Sequence, residues 1–323
     1  MNKEGKSCSP ISIGGQAVIE GVMMNGPKKM ATAVRKSDGE IVFEIKEKKE
    51  NFITKYKLNK IPILRGFLSF FVSMFTGVSC LMFSAKQTDL EDEDNEQMSK
   101  FEKWVFEKFG DKVFDIVMYI SVFFSLILGV GLFMVLPKLV VEWVSMPFGG
   151  INEGISTLIE GVLRLVIFLV YIILISKMKD IQRVFEYHGA EHKTIFTYEY
   201  GDELTVENVR KHQRFHPRCG TSFLVLVMIT SVIVFLIIGA FAGEMTILEK
   251  ILWRIAALPF VAGISYEFIK IAGRYDNKFT RFISAPGVWL QNFTTKEPDD
   301  SQIEVAIAAF KAVLPEDNED IKW

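Results

Sequence analysis

Apolar residues gather in runs separated by charged stretches. Residues 113–136, 155–175, 221–242 and 251–272 are each about as long as a helix must be to cross a bilayer core. A fifth run, 61–84, carries Arg65 near its start and Gly66 and Gly77 inside it. The pattern predicts a mainly α fold: a polytopic helical membrane protein with a small N-terminal β-containing cytosolic unit and a cytosolic helical loop and tail. Pro137 marks the expected end of the first clean span.

Elsewhere the period changes. Met30–Arg35 and Glu40–Lys46 flank Lys36-Ser37-Asp38-Gly39, and Ile41, Phe43 and Ile45 alternate with polar neighbours, which predicts a hairpin. Upstream, Gly14, Gly15, Gly21 and Gly26 break Ile11–Pro27 into apolar runs too brief to span, predicting tight turns and close backbone approach. This stretch lacks the Gly-Lys-Ser/Thr ending of a phosphate loop and the spaced glycines of a dinucleotide fingerprint. Phe279–Trp289 reads as a short interfacial piece with Trp289 at headgroup level. A last helix starts near Asp299, where Asp299 and Gln302 match a capping box and Ile303, Ile307, Phe310 and Leu314 form an apolar stripe.

The chain divides accordingly into a Gly-rich and hairpin unit (1–60), an apolar segment (61–84), an acidic loop (85–112), two spans (113–176), a histidine-rich loop (177–220), a membrane hairpin (221–272) and an amphipathic tail (273–323). Basic residues in short loops mark the cytoplasm. The 177–220 loop is rich in them, as is the start of the tail at Lys270, Arg274, Lys278 and Arg281, so both are expected in the cytosol. Five full crossings cannot also place the N-terminal unit and the acidic loop there. Residues 61–84 are therefore expected to form a re-entrant or interfacial hairpin, broken near Gly77 and leaving on the side it entered. Met1–Pro10 lacks the apolar core of a signal peptide, so the first spanning segment is expected to direct insertion.

Composition narrows the chemistry. Half of the 323 residues are hydrophobic and the formal charge is −2, which argues for the lipid bilayer as a partner and against nucleic acid. Three widely spaced cysteines are no disulfide framework and fit a reducing compartment. The four histidines, His188, His192, His212 and His216, all lie in the 177–220 loop. In His188-Gly189-Ala190-Glu191-His192, a four-residue offset puts two imidazoles on one helical face with Glu191 beside them. His212 and His216 repeat the offset, and Cys219 follows. Imidazole and thiolate favour a divalent transition metal, zinc first and iron second. His-x-x-Glu-His is the inverted helical zinc-protease order, with the glutamate as base. Of the charges within spans, Glu160 and Arg254 are expected to pair, and Glu267 is a candidate orienting carboxylate on the histidine side.

The segments GGQAVIEGVMMNGP, YHGAEHKTI, HPRCGTSF and PGVWLQNFTTKEPDDSQIEVAI resemble the YqhQ-like family of bacterial membrane proteins, of unknown function and labelled as predicted metal-dependent enzymes. The resemblance covers nearly the whole chain. It implies a multi-pass protein of the bacterial cytoplasmic membrane, and it makes Gly14, Gly15, Gln16, Glu20 and Gly21, with Trp289, Gln291 and Glu297, candidates to line a site.

Together these readings predict a membrane-embedded, metal-dependent hydrolase at the cytosolic interface, acting on a lipid-linked or membrane-proximal substrate. His188, His192 and His216 would bind the metal with His212 or Cys219 as a fourth ligand, and Glu191 would activate water. Two alternatives stay open: a non-enzymatic scaffold or assembly factor with a structural metal site, and a metal or proton transporter using Glu160, Arg164 and Glu267.

Overall fold

The computed structural model describes residues 11–48, 58–88, 111–241, 245–275 and 277–315. The acidic run Asp89–Glu96, expected as a cytosolic loop, lies outside the described residues.

The N-terminal unit is a four-stranded antiparallel meander, β1 (Gly14–Val18), β2 (Gly21–Asn25), β3 (Lys29–Arg35) and β4 (Ile41–Glu47), paired in that order. The β3–β4 hairpin is as expected, with Gly39 at φ 89° in its turn. The glycine-rich stretch before it forms a further hairpin, with the expected close backbone approach: a Cβ at Gly21 would stand 2.2 Å from Ala33 O. Its strands are covered on both faces and so do not alternate in polarity. Val22, Met24, Ala31 and Ala33 pack on the final helix, while Val18, Met23, Met30 and Val34 pack around Cys80.

Helix α1 (Leu64–Gln87) runs unbroken through Gly77, so the expected break there does not occur. A Cβ at Gly77 would stand 2.7 Å from Oε1 of Gln16, so the glycine admits a strand side chain against the helix. The irregular point comes earlier, at Ile63, whose φ is 67° although it is β-branched. The α1 N-terminus meets Gly263 and Tyr266, whereas its C-terminal half meets the sheet: Lys46 donates to Ser79 Oγ at 3.0 Å and Thr32 to Cys80 Sγ at 3.4 Å.

Helix α2 (Asp111–Val130) continues through a π turn at Gly131–Val135 into α3 (Leu136–Ser145). Pro137 therefore does not end the span, as the sequence suggested. It lacks the N–H that would reach Phe133 O in an α-helix, and Nε of Arg164 donates to that carbonyl instead, at 2.7 Å. Helix α4 (Glu153–Ile175) is capped by Asn152. Then come α5 (Lys179–Glu199), the six-residue α6 (Val206–Lys211), α7 (Gly220–Phe241), α8 (Ile247–Arg274), α9 (Lys278–Thr294) and α10 (Asp300–Val313). Among the described residues, five helical segments are long and apolar enough to cross a membrane: Leu64–Gln87, Tyr119–Phe148, Glu153–Ile175, Gly220–Phe241 and Ile247–Ala272. The piece expected at Phe279–Trp289 extends to Thr294 as α9. The capping box of Asp299 and Gln302 is present, and the α10 stripe packs with α5 against the sheet.

Candidate metal centre

Helix α5 carries the first histidine pair, as its spacing requires, with ring centroids 4.4 Å apart. The turn before α7 brings Cys219 to the same place. One nitrogen each from His188 and His192 and the Cys219 sulfur all lie within 4.8 Å of one another. His188 Nε2 is 3.1 Å from Cys219 Sγ, near the separation of about 3.5 Å between ligand atoms on a tetrahedral zinc.

The other ring nitrogens are occupied. Nδ1 of His188 donates to Thr294 O at 2.7 Å and Nδ1 of His192 donates to Arg214 O. A carbonyl can only accept, so both rings keep their Nδ1 proton and turn an Nε2 lone pair to the shared point, the arrangement usual for metal-binding histidines. Gly189 makes the first of these bonds reachable: its missing Cβ would lie 2.0 Å from Lys296 O, so the α9–α10 link crosses α5 beside His188.

Glu191 is buried, with Oε2 3.9 Å from His188 Nε2 and 4.0 Å from His192 Nε2. Burial raises its carboxyl above the ordinary range, against the opposing pull of His188 and a hydrogen bond from the Gly15 N–H. A Cβ on Gly15 would sit 2.8 Å from Glu191 Cγ. Gly15 and Gln16 face opposite sides of β1, so one strand touches both Glu191 and α1.

The second histidine pair does not share a helical face. His212 follows the last residue of α6 and His216 lies in the loop beyond, because the chain leaves helix before Pro217. His212 Nε2 contacts Asp202 at 2.9 Å and its ring stacks on Tyr200, away from the three ligand atoms. His216 comes beside them, its ring centroid 5.4 Å from that of His192, but Nε2 faces Glu199 at 3.7 Å and the Arg218 guanidinium. Burial lowers the His216 pKa to about 4, although Glu199 opposes it, so the ring is neutral at pH 7.

The remaining candidates take varied positions. Gln291, fully buried, accepts from His216 N and donates to His216 O, each at 2.7 Å, and so clamps the loop that delivers Cys219. Glu297 ion-pairs with Lys193 at 2.7 Å and lies 3.9 Å from Arg214, whose carbonyl holds His192. Glu20 bonds Arg183 and Tyr187, Gly14 is open, and Trp289 is exposed beside Phe293. Glu267 is not at the centre; it pairs with Arg65 and accepts from Ile63 N at 3.1 Å. Thr294, Arg214 and Glu199 were not singled out from sequence. The first two act through main-chain carbonyls, which any residue type offers.

Over 313 residues the chain is 35% identical to "Uncharacterized protein YqhQ" of Bacillus subtilis (strain 168), covering 94% of this chain and 93% of that protein. No solved structure matches it. The model of the family described as "Protein of unknown function (DUF1385)" matches residues 61–316, and the chain belongs to that family.

Proposed function

We propose that the chain is a metal-dependent hydrolase of the bacterial cytoplasmic membrane, with its centre at the cytosolic interface and a lipid-linked or membrane-proximal substrate. The observation that carries this reading is the convergence of two oriented Nε2 lone pairs and a thiol beside a buried carboxylate. His188, His192 and Cys219 would hold zinc, or iron, leaving one position open, and the ion would supply Lewis acidity toward water and the scissile group. Glu191, raised by burial, is suited to take a proton from the attacking water and return it to the leaving group. Thr294 O and Arg214 O keep the rings in the ligating tautomer, and Gly15 N–H fixes the carboxylate.

Helix α1 supports the interfacial placement. Its residues from Gly77 onward lie against a sheet, whose open edges are not tolerated in lipid. That leaves residues 64–76, about 20 Å of helix, against a bilayer core of about 30 Å. Helix α1 would then start within the membrane at Ile63 and leave on the side of the sheet, and with four later crossings the sheet, α5 and the tail would share one side, which the basic residues of the 177–220 loop mark as the cytosol.

The test is elemental analysis of detergent-purified protein beside a His188→Ala, His192→Ala variant. Stoichiometric zinc or iron in the first and none in the second supports the centre; no metal in either removes it. A second reading has its own observation. Glu191 lies near enough to both Nε2 atoms to be a fourth ligand, which would close the site and make it a structural staple in a scaffold. Glu191→Gln that keeps metal but abolishes the cellular activity supports hydrolysis; loss of metal supports the staple.

A further inference from the structure

Far from the histidines, helices α4 and α8 are joined by a ladder of ion pairs. Its first rung is Glu153 with Lys250 and its second is Glu160 with Arg254. Glu153, Glu160 and Arg164 lie along one face of α4, so Arg164 stands where a third rung belongs. There α8 offers Ala257, Leu258 and Val261, and none can pair with it. Lys138 of α3 joins the second rung, 3.1 Å from the carboxylates of both Glu142 and Glu160.

The charges do not balance. Across the ladder four cations, Lys138, Arg164, Lys250 and Arg254, face three carboxylates, Glu142, Glu153 and Glu160, and Lys138, Arg164 and Arg254 are buried. Lys138, Lys250 and Arg254 form the ion pairs with those three. Among the described residues, the hydrogen-bond and ring contacts of Arg164 are with neutral groups, Phe133 O at 2.7 Å, Ser231 Oγ at 2.8 Å and the face of Phe235, and the one carboxylate that acts on it, Glu160 a turn earlier, is already shared by Lys138 and Arg254. That ring centroid is 5.3 Å from the guanidinium carbon of Arg164 and equally far from that of Arg254, so two like charges flank one side chain. Both Arg164 and Ser231 sit at the middle of their helices, where an uncompensated charge is most costly.

We propose that Arg164 binds a small inorganic anion of halide size, which completes the third rung and neutralises the bundle. The depth argues for such an anion over a lipid phosphate: the middle of α4 is about 16 Å from either helix end, beyond the reach of a headgroup. Filling the Phe133 carbonyl left open by Pro137 would need only a neutral donor. A permanent cation in that place is what calls for a counter-charge.

The experiment is thermal unfolding of the full-length, detergent-purified protein in sodium chloride against sodium gluconate at equal ionic strength. Chloride should raise the midpoint saturably by a few degrees, as a ligand of the native state does. The shift should vanish in Arg164→Gln, whose amide can still donate to Phe133 O, and persist in the His188→Ala, His192→Ala variant. No chloride-specific shift in the wild type, or its survival in Arg164→Gln, overturns the proposal. Should Arg164→Gln fail to fold, bromide-soaked crystals of the wild type decide: an anomalous peak beside Arg164 supports the site, and its absence overturns it.

Discussion

His188 of α5 donates its Nδ1 proton to the carbonyl of Thr294, a residue 106 positions later at the end of α9. One bond thus ties the histidine helix to the tail and selects the ring tautomer that leaves Nε2 free. Lys296 N donates to Phe185 O at 2.8 Å and holds the same crossing.

Gly189→Ala tests that crossing. The added methyl would meet Lys296 O at 2.0 Å, and backbone at both sides leaves little room to relax. We expect a loss of about 1–3 kcal/mol in stability and a fall in bound metal as the Thr294 carbonyl withdraws. Thermal unfolding and metal content measure both, and wild-type values for each would refute the account.

Gln291→Leu tests the clamp on the Cys219 loop. Leucine is similar in volume but leaves the His216 N–H and C=O unpaired in a buried place. The expected cost is about 2–4 kcal/mol, from two unsatisfied groups at roughly 1–3 kcal/mol each with partial relief by water. Denaturant unfolding measures it, and a change within 0.5 kcal/mol (a typical surface effect, roughly) would show that the clamp is dispensable.

Gly15→Ala places a methyl 2.7 Å from the Met23 carbonyl of β2 and 2.8 Å from Glu191 Cγ, so the carboxylate must shift while the ligand atoms are unchanged. Metal content should hold while the function that depends on Glu191 falls, roughly tenfold or more, since small displacements of a catalytic group are costly. Metal content and the cellular activity are the readouts. Unchanged activity would remove Glu191 geometry from the mechanism.

Acid stability should depend on Glu199. Burial works to raise its carboxyl, but the His216 contact, the charge of Arg218 and the Ile11 N–H outweigh it and hold it below the usual range. A depressed folded pKa means that the unfolded chain takes up the proton first as pH falls. The stabilisation is complete above the ordinary glutamate value of about 4.3 and is lost as pH drops through the lower folded value. Unfolding midpoints followed from pH 7 to pH 3 should decline less steeply below pH 5 in Glu199→Gln; parallel curves would count against the assignment.

Topology is tested by reporter fusions. A reporter after Thr88 should be cytosolic and one after Gly150 external, because α1 leaves on the side of the sheet. External activity after Thr88 would mean that α1 crosses fully.

The order of local interactions along the chain was legible in its residues. The three later spans, the β3–β4 turn, the α10 capping box and the His188–His192 face all follow from patterns a few residues apart. The pairing of Glu160 with Arg254 was legible too, since charges in a membrane must meet. The β1–β2 hairpin was hidden because strands covered on both faces lose their alternation. The second histidine pair misled because an i,i+4 offset means a shared face only on a helix, and here the helix ends at Lys211. Tertiary structure alone decided that Cys219, rather than His212, meets the first pair, and that main-chain carbonyls orient it. Those outcomes depend on where the α9–α10 link crosses α5 and on the Gln291 clamp, contacts between distant segments that no local pattern encodes.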